Sequence, residues 1–493
     1  MEISPVMKPH NPTEMKLIGI AAIACYVPAI YLDIEELAIN RAIEPAKLQK
    51  GLGLLQMALP DADEDAASFA ANALWQLITE NQLDPHSIGR IYLGTESALD
   101  AAKPTATYAV GAVETALEKT FGPRCFRHCD VLDMTFACVG AVDALHNSID
   151  WVSAGSGRKA VVIASDFAKY ELGSTGEYTQ GAGAVAMLIA ENPSILHFSD
   201  AWGVSMQSVG DFHKPRRVYD KVQLLQETAR LLGTSLNNTT AEALMQEDTT
   251  GFWSDPNAQV ELFKEEPVFD GQYSNACYKD RIVEAIAHFR SQTSCHILSD
   301  WQHMVFHLPY AFQARRMVLE PWLEWLEEAG MTEQLYAEMG KPAEGAHADW
   351  VKAAAKSAMY KAFLAEKIAD GESASSRIGN MYTASIFMSL ICILQTALDK
   401  DTAITGHRVG FVSYGSGSKS KVFEGTIAKD WKSRVSHLQL FRRLDERKAI
   451  DFATYEKLHS NKCASPVGKV EGFRLEDAGN LYPAMGIRKY TLR

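Results

Sequence analysis

The chain is poor in cysteine for its size: eight in 493 residues, at 25, 125, 129, 138, 277, 295, 392 and 463. A disulfide-stapled secreted scaffold is shorter and denser in cysteine, so a reducing, cytoplasmic setting is expected. Cys125 and Cys129 flank His128, but no second half-site of Cys or His follows at useful spacing, and no metal is expected. Long apolar runs are also missing. The longest, such as residues 182–190, are too short to cross a bilayer. The opening MEISPVMKPHNPTEMKLIGIAAIACYVP has no basic start followed by a long apolar core and a cleavage site. Positive charge is in deficit: 48 Lys and Arg stand against 61 Asp and Glu, a net charge of -13. That balance excludes broad attraction to nucleic acid or to an anionic membrane, and an anionic substrate would need a local basic patch.

What is present is ordinary globular material, 47% hydrophobic and 22% charged, enough for about two or three domain-sized units. Residues 16–30 read as a buried strand that turns at Pro28, and 65–80 as a helix with apolar residues at helical spacing. Residues 88–94 form a short apolar strand ending on Thr95-Glu96-Ser97, and 104–119 are helical again. Residues 131–136 lead as a strand into Ala137-Cys138-Val139-Gly140, with a helix expected from about 138 to 153. Strands follow at 160–165 and 183–190. Strands alternating with helices predict an α/β layered sheet. The second half repeats this alternation, with a helix at 281–291, a strand at 304–307, a helix at 385–399 and a strand at 409–414 entering Gly415-Ser416-Gly417. No residue-level repeat is visible, so a duplicated fold is permitted and not demonstrated.

Two stretches break this rhythm. Residues 216–262 are polar, helical over 221–233 and turn-rich at 237–240 and 254–257; residues 312–375 are helical and rich in Ala, Glu and Lys. Both read as peripheral additions. The expected division is an N-terminal half at 16–195, a C-terminal half at 196–425 that includes both additions, and a docked tail at 426–493.

Several side chains sit where chemistry is done. Cys138 lies among small residues at a helix start, where the helix dipole favours the thiolate and space remains for an acyl group. His307 ends a strand before Leu308-Pro309, a place where α/β sheets present side chains to ligands. Glu96 ends a strand among small residues, as a general base can. Asn380, in GNMYT, is placed to hydrogen-bond a carbonyl, and Ser416 lies in a loop whose backbone N–H groups are able to approach an oxyanion. Taken singly, each has a plainer reading: a buried cysteine, a satisfied histidine, a helix-terminal acid, a turn.

Their order is more telling. GTES at Glu96, FACVGA at Cys138, GEYTQGAGAVAM at 176–187, FHLPY at His307, GNMYTAS at 379–385 and VSYGSGS at 412–418 occur in this sequence. The series resembles hydroxymethylglutaryl-CoA synthase, a family of the thiolase superfamily, from about residue 17 to the tail apart from the two additions. The resemblance implies an α-β-α-β-α thiolase-like fold of two similar halves, a homodimer, and no cofactor beyond the CoA thioester substrates. It also implies a route in which Cys138 is acetylated by acetyl-CoA and Glu96 removes a methyl proton. The carbanion then attacks acetoacetyl-CoA, polarised by His307 with Asn380 in support, in the mevalonate route to isoprenoids. By the same correspondence Thr179, Ser274 and Ser416 contact substrate.

This chain departs from the family at several places. Phe312 stands where a lysine is usual, making Arg316 the next basic position; Thr175 replaces a common asparagine; the His213–Arg217 cluster offers compensating charge. Residues 216–262 far exceed the few residues expected between DFHKP and PVFDG, and a lid, a dimer contact and a surface excursion all remain open. A polyketide β-branching synthase performs the same condensation on carrier-protein thioesters. Such relatives carry extra residues before the GAGAVA strand and differ at DFHKP, so CoA thioesters are expected ahead of a carrier protein. A ketoacyl synthase or thiolase would use a Cys-His-His or Cys-His-Asn set without the GTES carboxylate. An inactive acyl-thioester-binding scaffold is disfavoured because every catalytic group is present.

Overall fold

A computed structural model describes residues 16–249, 251–255, 259–480 and 483–493. The start of the N-terminal segment and part of the expected turn at 254–257 lie outside the described residues. Nine strands form the central sheet: β1 (Ile18–Tyr26), β2 (Arg90–Gly94), β3 (Asp130–Met134), β4 (Ala160–Ala168), β5 (Gly181–Glu191), β6 (Leu196–Met206), β7 (His303–Phe306), β8 (Arg408–Gly415) and β9 (Lys419–Ile427). Their order is β7-β8-β9-β6-β1-β5-β4-β2-β3.

The order contains one pattern twice. In the first half β1 lies antiparallel to β5 and β5 antiparallel to β4, while β4, β2 and β3 run parallel. In the second half β6 lies antiparallel to β9 and β9 antiparallel to β8, which runs parallel to β7. The halves meet at a short antiparallel contact, Gly19 opposite His197 and Ile20 opposite Leu196. The duplication that no residue-level repeat revealed is therefore present in strand order and direction.

Helices fill three layers around these halves. Between them run α3 (Gly140–Ser153) and α5 (Ser385–Asp399), whose Leu145, Leu390 and Leu394 share one core with Met187 and Val162 of the first half and Phe411 and Phe423 of the second. Truncating Leu390 or Leu394 to Ala there costs about 2–5 kcal/mol. Outside the first half, α1 (Ala66–Glu80) and α2 (Thr105–Phe121) cover Ile91, Leu93 and Ile163 with Phe69, Leu77 and Val113. Asp65 starts α1 by a capping box with Ser68. Outside the second half, α4 (Gly271–Gln292) and helices between 313 and 378 cover Phe306 and Val412 with Tyr278, Phe289, Trp322 and Phe363. Neighbouring strand residues such as Val162 and Ile163 serve opposite cores because strand side chains alternate faces. The result is α-β-α-β-α layering. It explains α5: a helix apolar on every side is covered on every side.

Some elements differ from the sequence expectation. The strand read at 16–30 is Ile18–Tyr26 and ends before the expected turn at Pro28, but a further strand that was not expected, Ile30–Asp33, follows and pairs with Gln56–Leu59. The helix at 281–291 begins ten residues earlier, at the Asp270 cap. β6 and β9 were not expected, because their mutual register slips between Phe423 and Gly425 and spoils clean alternation. In the 216–262 segment, Arg217–Asp220 pairs with Gln259–Leu262 and the chain between forms helices Lys221–Leu231 and Asn238–Gln246. At the C-terminus, Phe473–Ala478 pairs with Arg488–Leu492. There the buried Arg474 guanidinium lies 2.9 Å from Glu64 and 3.3 Å from Asp63.

Candidate active site

Strand register assembles the site. In β2 and β3 Gly94 lies opposite Met134, so the segments that follow, Thr95–Ser97 and Thr135–Val139, leave the sheet side by side. Phe136 to Val139 form a tight turn, closed by the Val139 N–H on the Phe136 carbonyl at 3.0 Å, in which Ala137 takes a left-handed φ of 38°. This is a strained conformation for a residue with a side chain. Cys138 thus precedes α3 in a turn instead of beginning it, the helix starting at Gly140 after Val139. Gly415, at the end of β8, presses on the same turn: a Cβ there would fall 2.7 Å from the Phe136 oxygen. That approach carries Ser416 to the nucleophile.

The Cys138 thiol, 8% exposed, donates to Glu96 Oε1 at 3.0 Å. Burial first, then the Glu96 charge, holds the thiol well above its ordinary range. This corrects the expectation of a thiolate favoured by the helix dipole: dehydration and a neighbouring carboxylate outweigh a helix end that starts two residues later. Burial likewise pushes the Glu96 carboxyl up to about 7, with Asp166 adding to the rise and Lys214 and the thiol opposing it. Lys214 Nζ donates to the Glu96 carbonyl at 3.0 Å and lies 4.8 Å over the Tyr382 ring. Behind Glu96, the fully buried Asp166 accepts from the Glu96 N–H and Thr95 Oγ1 at 2.9 Å, and from the Thr383 N–H at 3.0 Å.

His307 leaves β7 from the opposite half, its N–H bonded to the Val412 carbonyl at 3.0 Å. Its ring is 2% exposed, Nδ1 is 2.8 Å from Ser385 Oγ, and burial lowers the imidazole to about 3, so it is neutral at physiological pH. Asn380 accepts the Tyr382 N–H on Oδ1 at 2.8 Å, which commits its NH2 group to the other side. The Asn380 N–H donates to the Thr179 carbonyl at 2.9 Å, and Thr179 Oγ1 donates to the Gly176 carbonyl at 2.7 Å. Ser274 Oγ is 3.4 Å from Ser416 Oγ and donates to Asp211 at 3.0 Å; Tyr414 Oη and the Gly417 N–H also donate to Asp211, each at 2.8 Å.

One cavity of about 390 Å³ unites these groups: Cys138, His307, Thr179, Ser274, Asn380 and Ser416 line it, with Arg316 and Thr175 exposed along it. Glu96 stands behind the thiol and does not line it. Tyr170, Tyr382, Phe212 and Phe269 form an aromatic collar round Cys138. The Arg316 guanidinium is held by the Tyr310 hydroxyl at 3.2 Å and the Gly51 carbonyl at 3.1 Å. Of the other basic cluster, Arg216 pairs with Glu261 and Arg217 with Glu171, so with Lys214 at Glu96 that charge is engaged by the protein. None of the described residues of 216–262 lines this cavity. A larger crevice of about 690 Å³ under the tail contains neither Cys138 nor His307.

Sequence reasoning missed the parts played by Asp166, Asp211 and Ser385, and took Lys214 only as one of a cluster of compensating charges, not as the neighbour of Glu96. Asp166 within the apolar strand AVVIASDFA was a readable signal, since an acid there needs a reason. Ser385 carried none, because a serine at a helix start reads as a cap.

Comparison with known proteins gives the class first. A solved structure described as MvaS in complex with 3-hydroxy-3-methylglutaryl coenzyme A superposes with a TM-score of 0.75 at 28% identity, covering 97% of this chain and all of that one. A curacin-pathway HMG synthase shares the fold, with a TM-score of 0.70 at 20% identity. The protein is an α/β enzyme of thiolase-like fold. Family models for the N-terminal and C-terminal parts of hydroxymethylglutaryl-coenzyme A synthase match residues 14–194 and 247–466. The hydroxymethylglutaryl-CoA synthase of Haloferax volcanii is 28% identical, covering 96% of this chain and 98% of that one; that of Enterococcus faecalis is 27% identical, covering 90% and 91%. The chain belongs to the hydroxymethylglutaryl-CoA synthase family, the acyltransferases that form a carbon–carbon bond.

Proposed function

We propose that the enzyme condenses acetyl-CoA with acetoacetyl-CoA and water, giving 3-hydroxy-3-methylglutaryl-CoA and free CoA in the mevalonate route. The observation that carries this reading is the Cys138 thiol 3.0 Å from Glu96 in a cavity shared with His307. The thiol proton passes to Glu96, the sulfur attacks the acetyl carbonyl, and CoA leaves with that proton. Glu96, free again, removes a proton from the methyl group of acetyl-Cys138. The enolate attacks the ketone carbon of acetoacetyl-CoA while His307 and Asn380 hold the ketone oxygen, and the proton that Glu96 took from the methyl group returns to that oxygen, giving the hydroxyl. Water then cleaves the Cys138 thioester, restoring the thiol and leaving the new carboxylate. These steps balance with no cofactor. The aromatic collar supports them by excluding water from the enolate.

The exposed Arg316 at the cavity wall supports anionic CoA as the acyl carrier. β3, unpaired on one side among the described residues and with Leu132 exposed, supports a homodimer joined edge to edge. Free thiols at all eight cysteines fit a cytoplasmic setting. The test is to incubate purified protein with acetyl-CoA and acetoacetyl-CoA, then with the same acyl groups on carrier protein. Hydroxymethylglutaryl-CoA from the first pair supports the reading; product from carrier thioesters alone overturns it in favour of β-branching chemistry.

A further inference from the structure

The turn that carries Cys138 is strained at Ala137, with a φ of 38°, and such a conformation persists only where its surroundings over-determine it. On one side Gly415 presses against Phe136 and Val139. The hairpin that begins there runs through Ser416 to Lys419, which lies opposite Gly415 where β9 starts. Lys419 reaches back from the hairpin to both flanks of the nucleophile. Its Nζ lies 4.0 Å over the ring of Phe136, just before Cys138, and 2.5 Å from Oδ2 of Asp143, in the first turn of α3.

Charge pairing alone does not account for this lysine. Asp143 is buried and already receives Lys421 Nζ on Oδ1 at 2.9 Å. One carboxylate needs one cation, so a second lysine leaves surplus positive charge in a largely enclosed place. The negative face of the Phe136 ring takes up that surplus. Lys421 is engaged elsewhere, 3.0 Å from His146 Nδ1 and 5.7 Å over the Trp202 ring.

We propose that Lys419 is a positioning residue: by holding Phe136 and Asp143 at once it staples the Cys138 turn to the Ser416 hairpin. That staple fixes the gap in which the acetyl carbonyl must sit, between the sulfur and the backbone of the Ser416 loop. Lys419 does not line the cavity and acts only through these two segments. This deepens the functional reading above and rests on it for the acetyl group.

The test is single-turnover acetylation of Cys138 at saturating acetyl-CoA. Lys419→Ala should slow it by about 10–10²-fold, as misplacement of reacting groups by about 1 Å does, with the half-saturating concentration unchanged. Lys419→Arg keeps both contacts and should hold the wild-type rate. Lys421→Ala removes the other cation from Asp143 and should also hold it. An equal loss in Lys421→Ala would reduce Lys419 to one of two structural charges and overturn the proposal. Phe136→Leu should slow acetylation, and adding it to Lys419→Ala should cost little more, because both act through one contact. Losses that multiply would count against the staple. The isotope-edited carbonyl stretch of 13C-acetyl-Cys138 reads the same gap without turnover. It should rise in frequency in Lys419→Ala, as the hydrogen bonds to the acetyl oxygen loosen, and stay at the wild-type value in Lys421→Ala. Should Lys419→Ala not fold, Lys419→Met takes its place with the same expected order of rates. A folded Lys419→Ala enzyme that acetylates at the wild-type rate sinks this proposal alone. A wild type that takes no acetyl group from acetyl-CoA or a carrier thioester instead sinks the functional reading beneath it.

Discussion

Cys138 Sγ and Glu96 Oε1 lie 3.0 Å apart although 42 residues separate them in the chain. The pair couples two titrations: burial raises both groups, the Glu96 charge raises the thiol further, and the thiol holds the proton that Glu96 accepts. Near neutrality the enzyme therefore rests with Cys138 as thiol and Glu96 about half ionised, and the nucleophile forms only as the thiol proton crosses to an ionised Glu96.

Labelling tests the nucleophile. Radiolabelled acetyl-CoA should acetylate the wild type and leave Cys138→Ala and Cys138→Ser unlabelled; stoichiometric label on Cys138→Ala refutes the assignment.

Glu96→Ala separates the half-reactions. It removes the proton acceptor, and also the charge that helps hold the thiol up, so these effects oppose each other in acetyl transfer. Condensation has no such compensation and should fall by about 10²–10⁴-fold, the contribution of a positioned base. Near-wild-type condensation would remove Glu96 from that role.

The pH profile has a definite sign. The base is the ionised carboxylate, so condensation should rise as pH passes upward through about 7 and level off above it. Lys214 pulls Glu96 down, so Lys214→Met should move the rise to higher pH and Lys214→Arg should leave it in place. Profiles of kcat for the three enzymes measure this, and superimposable curves count against the coupling.

Replacing residues 218–262 with a short Gly/Ser linker should leave KM and kcat at wild-type values, because no described residue of that segment lines the cavity. A raised KM for acetoacetyl-CoA would restore the lid reading, and a monomeric product by light scattering would identify a dimer contact.

Arg474→Met tests the tail. It strands the buried Glu64 and Asp63 carboxylates, a change costing about 3–5 kcal/mol when a buried pair loses one member. Burial raises the Glu64 carboxyl, so protonation relieves the stranded charge and the loss should be larger at pH 8 than at pH 5. Thermal melts at both values check it, and equal Tm shifts would contradict it.

Much of the fold was legible where local rules are strong. The helices at 66–80 and 385–399 announced themselves by spacing and apolar content, Cys138 and Glu96 by small residues where a strand ends, and His307 by a strand end before a proline turn. The ordered motifs made those residues a set. Strands β6 and β9 were not legible, since a register slip blurs the alternation on which strand reading depends.

By itself the sequence determined which chemical groups exist, which element carries each, and which family the chain belongs to. Tertiary structure decided their state. The Cys138 proton, the elevated Glu96 and the neutral His307 all follow from burial by residues distant in the chain, and dehydration is a property of packing, not of neighbours in sequence. Ser385 shows the limit most plainly: a helix-start serine comes to lie 2.8 Å from His307 Nδ1 only when two elements 78 residues apart are folded together.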